Sequence, residues 1–163
     1  MATGDIQPHE NTGASKMDGS MTFYVASGTS ASIKAGEPVR KLAGAAGASA
    51  MPTNSPTTTN RVVGVAASDS TETSSASGTV QVIPMKAGQT WRIAPKVAAT
   101  WDTQAKYNAL IGSRVLLDLT SSTYTILASD SASNGCIVEY LDIAQYPGQV
   151  AFSFSPLCDY RNV

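Results

Sequence analysis

Nearly every apolar cluster in this chain is only four to seven residues long and ends in Gly, Pro, Ser, Thr or Asn. Segments that short cannot make a stable helix of ordinary length, but they match the length of a β-strand. Thr79-Val80-Gln81-Val82-Ile83-Pro84 alternates, placing Val80 and Val82 on one face and Thr79 and Gln81 on the other. Gln149-Val150-Ala151-Phe152-Ser153-Phe154-Ser155 alternates too, with Val150, Phe152 and Phe154 facing one way. Further strands are expected at Phe23–Ala26, Val39–Leu42, Arg61–Ala66, Thr90–Ile93, Val115–Leu119, Tyr124–Leu127 and Ile137–Leu141. Gly36 marks a turn before the second of these. Lys86-Ala87-Gly88-Gln89 reads as a turn that returns the chain into Thr90–Ile93, and Ser121-Ser122 joins the two strands around it.

One helix is expected, from Thr103 to Ile111, capped by Asp102 and ended by Gly112, with Tyr107, Leu110 and Ile111 turned to the sheet. The helical crossovers of a parallel α/β fold are not found. The expected fold is therefore all-β: a small antiparallel β-barrel or sandwich with one short helix and extended N- and C-terminal arms. Residues 1–20 read as a polar arm, 21–155 as the β domain, and 156–163 as a tail. Residues 43–60, with no periodicity and two prolines, read as a long loop that serves binding or stays mobile.

Composition narrows function. At 163 residues the chain is the size of one domain and can bury roughly 70% of its unfolded surface. Charged residues make up only 14%, and 11 basic residues against 12 acidic ones leave a formal charge of −1. The basic residues are scattered, which argues against direct binding to nucleic acid. No stretch reaches the length of a membrane span, and the first residues lack the pattern of a signal peptide, so a soluble protein made in the cytosol is expected. Cys136 and Cys158 are too few for a disulfide framework and read as thiols in a reducing compartment.

The residues of catalysis are sparse. The only histidine, His9, lies in the arm, where nothing fixes it as a base. Two separated cysteines and one histidine do not make a zinc site, and the glycines form no nucleotide-binding loop. Asp69 with Glu72, and Glu139 with Asp142, are the nearest approach to paired carboxylates, and both pairs suit solvated surface or turn caps equally well. No catalytic residue, cofactor or metal is expected. Trp91 or Trp101 beside acids could form a sugar-binding platform, although tryptophans near short strands are more often core or interface residues.

Four blocks resemble the head decoration, or capsid cement, proteins of tailed bacteriophages. They are Ala35-Gly36-Glu37-Pro38-Val39; Val62-Val63-Gly64-Val65-Ala66; Gly78-Thr79-Val80-Gln81-Val82-Ile83-Pro84; and Asn134-Gly135 leading to Val138–Asp142 and Val150-Ala151-Phe152. The loop at 43–60 and both arms look longer than a minimal member needs. The resemblance implies a non-enzymatic β-barrel, commonly a homotrimer, made in the bacterial host cytoplasm and seated on the outer surface of the virion. Its partner would be the major capsid protein, with no nucleic acid and no membrane involved. Within that expectation the capsid or partner contacts fall on Ile6, Pro8 and Met17 of the arm, Met51 and Pro52 of the loop, and Leu157, Tyr160 and Arg161 of the tail. A carbohydrate-binding module or adhesin on a phage particle is the alternative, and a glycoside hydrolase a distant third.

Overall fold

The computed structural model describes residues 6–8, 20–27, 33–41, 48–50, 61–86, 89–121, 123–129 and 135–156. Eleven strands are formed by these residues: β1 (Gln7–Pro8), β2 (Met21–Val25), β3 (Pro38–Lys41), β4 (Ala48–Ala50), β5 (Val62–Ala66), β6 (Gly78–Pro84), β7 (Trp91–Ile93), β8 (Arg114–Thr120), β9 (Thr123–Leu127), β10 (Cys136–Val138) and β11 (Val150–Phe154). A 3-10 turn at Ala98–Thr100 and the helix α1, Gln104–Asn108, lie between β7 and β8. The all-β expectation holds: two curled antiparallel sheets carry the fold, ordered β1-β7-β11-β10-β8-β9 and β2-β6-β5-β3-β4.

The first sheet curls until its ends meet. β11 occupies one edge of β7. The other edge is shared, first by β1 along Trp91 and Arg92 and then by β9 just beyond. There the Ile126 N–H donates to the Ala94 carbonyl at 3.0 Å, and Lys96 N–H donates to the Ile126 carbonyl at 2.8 Å. Closure satisfies edge groups that would otherwise be left open. The interior is filled by residues that alternate along the strands, among them Trp91, Ile93, Val115, Leu117, Ile126, Val150 and Phe152. Trp91, Phe152 and Phe154 meet edge to face, at 6.4 Å and 5.3 Å between centroids for the two pairs that share Phe154.

The second sheet holds a smaller core of Val25, Ile33, Val39, Ala66, Val80 and Val82. β5 serves both cores, since Val62 and Val65 belong to the first and Ala66 to the second. An irregularity in the β3–β5 register, between Val39 and Arg40, goes with this switch of faces. Gly64 makes close packing possible: a Cβ there would run into the Ile83 carbonyl oxygen and lie 2.7 Å from Val82 Cγ1.

Four expectations need correction. The Lys86–Gln89 turn is present, with Gln89 N–H donating to Lys86 O at 3.1 Å, but β7 after it does not return along β6, because the two strands lie in different sheets. Part of the stretch read as loop, Ala48–Ala50, is a strand paired with β3. The helix is shorter than expected and is capped by Thr103, whose Oγ1 accepts from Lys106 N–H at 3.3 Å, while Asp102 instead pairs with the Lys106 ammonium at 2.7 Å. Gly112 does end this region, at φ 83°, but Ile111 is 41% exposed and only Tyr107 and Leu110 pack inward.

Candidate interaction surface

Of the expected contact residues, the structure describes two. Ile6 is buried, 4% exposed, in the core of the first sheet, so its side chain holds the arm to its own barrel and is not offered to a partner. This corrects the reading of Ile6 as a contact and of the whole of residues 1–20 as an arm. Ile6 N–H donates to Gly36 O at 3.2 Å, in the turn before β3, while Pro8 lies opposite Trp91 in β1. The segment therefore straps one sheet to the other. Met17, Met51, Pro52, Leu157, Tyr160 and Arg161 lie outside the described residues, as do His9 and Cys158. Cys136 is buried opposite Phe154 and packs as a small apolar residue.

Three of the four carboxylates named as possible pairs have structural partners, whereas both carboxylate oxygens of Glu72 are buried without one. Asp69 accepts from the Ala35 N–H and the Lys34 ammonium, both at 3.0 Å, and the backbone bond and then the ammonium hold its carboxyl below the usual range. Glu139 accepts from the Ser153 hydroxyl at 2.6 Å, and Asp142 accepts from Ala144 N–H at 2.9 Å. Trp91 and Trp101 are buried, so neither forms an exposed platform for a sugar ring.

Three lysines of the described surface are each paired with a carboxylate. Lys34 meets Asp69, Lys96 meets Asp118 at 2.8 Å, and Lys106 meets Asp102. Two features break that pattern. On the second sheet, the outward residues of β2 and β6 and the adjoining loop form a ladder of uncharged polar groups: Gln81 Nε2 donates to Thr22 Oγ1 at 2.8 Å, and the Tyr24 hydroxyl bonds Ser77 Oγ at 2.5 Å. Tyr24 is exposed there, while Met21, opposite Val82, is exposed on the other face of β2.

The other feature lies on the barrel's outer wall. Trp91 and Ile93 point inward, so Arg92 between them points out, and its guanidinium stacks 4.2 Å from the Tyr146 ring centroid. Tyr146 belongs to a turn held at several points. Its N–H donates to Asp142 O at 3.0 Å, Ile143 N–H donates to Gln104 Oε1 at 3.1 Å, and Gln104 Nε2 donates to Leu141 O at 3.0 Å. Tyr140 begins this segment and is 63% exposed.

Arg92 and Tyr146 were not legible as a site. A lone arginine on the outward side of a strand resembles any solvated residue, and the tyrosine that meets it lies far along the chain. Compared with known proteins, the chain matches no family model, no curated protein and no solved structure.

Proposed function

We propose that this protein is a capsid decoration protein: a non-enzymatic module that binds the outside of an assembled phage head and bridges major capsid protein subunits. One observation carries the reading. The blocks that resemble the cement family, scattered in sequence, fall on adjacent strands: β3, β5 and β6 are neighbours in one sheet, and β10 pairs with β11 in the other. Val39, Ala66, Val80 and Val82, one or more from each of the first three blocks, share a single core. Val138, Val150 and Phe152 of the fourth block belong to the other core, and this neighbouring of the blocks within each sheet is what supports the reading. A formal net charge of only −1 also suits dense packing on a lattice, where self-repulsion would oppose occupancy.

The mechanism is mass action. A ligand that binds only the assembled shell stabilises it by RT ln(1 + [L]/Kd) per site, and a trimer adds its contacts through effective concentration. Cosedimentation with purified empty phage shells tests this. Saturable binding that raises the shell's thermal disruption temperature is the expected result. Binding to arrayed glycans, with none to shells, would replace the reading with the adhesin alternative.

A further inference from the structure

We infer that Arg92, stacked on Tyr146, is a preformed anchor for a carboxylate side chain of a partner protein; only the partner's identity as a shell subunit rests on the function proposed above. Lys34, Lys96 and Lys106 each sit within 3.0 Å of a carboxylate of this chain. The Arg92 guanidinium has no hydrogen bond or ion pair to a side chain among the described residues, and it lies over the aromatic face of Tyr146. Its Nε is buried without an acceptor. A guanidinium whose inner edge is covered keeps its Nη groups for a partner, and a carboxylate matches that fork with two parallel hydrogen bonds.

The anchor is rigid before anything binds. Arg92 sits in a strand paired on both sides, opposite Gln7 and Ala151. Tyr146 is fixed by the turn that Gln104 ties to α1. Stacking fixes the guanidinium plane, so less rotamer entropy remains to be lost on docking. Tyrosine and arginine are the residue types that dominate interface energetics. β1 runs alongside Arg92, with Gln7 directly opposite it.

The test uses the full chain and two capped peptides, hexaglutamate and hexalysine, followed by the 15N–1H resonance of Arg92 Nε and by calorimetry. The expected result is saturable binding of hexaglutamate with a shift at Arg92, and no binding of hexalysine. Arg92→Gln weakens the glutamate peptide about tenfold or more, the scale of a charged hydrogen-bonded pair, and Arg92→Lys weakens it less. Tyr146→Leu weakens it while Tyr146→Phe does not, which separates stacking from the hydroxyl. Unaltered thermal unfolding of Arg92→Gln shows that the loss is not one of folding. Failure of hexaglutamate to bind at millimolar concentration, or equal binding by Arg92→Gln, overturns the anchor. Shell binding without dependence on Arg92 would overturn it too and leave the decoration reading standing.

Discussion

Tyr107 reaches from α1 across the end of the barrel with its ring at 5.5 Å from Trp101 and its hydroxyl among backbone groups of two strands. The hydroxyl accepts from Ala151 N–H at 2.8 Å and donates to Glu139 O at 3.0 Å. Tyr107→Phe keeps the ring and removes both bonds, leaving a buried N–H without this acceptor. The expected cost is about 1–3 kcal/mol in a denaturant titration. Burial, only partly offset by the Ala151 bond, pushes the Tyr107 hydroxyl up to about 12 from an ordinary 10, and burial raises Tyr124 as well. A raised folded-state value means that the neutral form is favoured in the fold. The associated stability is fully present below pH 10 and is lost as pH climbs through 12. Ultraviolet titration should therefore show the share of tyrosinate absorbance that belongs to buried Tyr107 and Tyr124 appearing with unfolding at the alkaline end, and Tyr107→Phe should flatten part of the fall in stability above pH 10.

Strands were legible wherever alternation was strong, as in β6 and β11, because a period of two leaves few other ways to bury Val80, Val82, Val150, Phe152 and Phe154. Their partners were not. Alternation says which face of β7 is buried but not which sheet it joins, so the turn at Lys86–Gln89 reads the same whether or not β7 returns along β6. β4 reads Ala-Ser-Ala, which carries no strand preference and forms through pairing with β3. The candidate anchor was hidden for the same reason, since its two halves meet only through tertiary folding. Two tests belong to this scale. Gly64→Ala forces a methyl against the Ile83 carbonyl where β5 meets β6, and is expected to cost about 3 kcal/mol or more, read as a lowered denaturation midpoint. Lys96, at the closure of the barrel, bonds Asp118 Oδ2 at 2.8 Å and Thr120 Oγ1 at 3.3 Å. Lys96 and then Thr120 hold the Asp118 carboxyl below the usual range, so this contribution is present above that range and fades as pH falls. Lys96 is partly exposed, and Asp118→Asn is expected to cost no more than about 1 kcal/mol near neutral pH, with a smaller deficit in acid.

At the scale of the molecule, a closed barrel and a curled second sheet share β5 and are strapped together by residues 6–8. That strap changes how the N-terminal segment should be tested. Removing residues 1–20 takes Ile6 out of the core and β1 off β7, so lost shell binding would report damage to the barrel. Substitutions at positions 9–19 leave Ile6 and β1 themselves unchanged. The central claim is that the whole unit sits on the outside of a phage head and spans subunits of the major capsid protein. Cryo-electron microscopy of purified shells saturated with the protein tests it most directly. The account expects ordered density on the outer surface that fits both sheets, each copy touching more than one capsid subunit. Shells that show no such density at saturating concentration, or density confined to the tail, would contradict it.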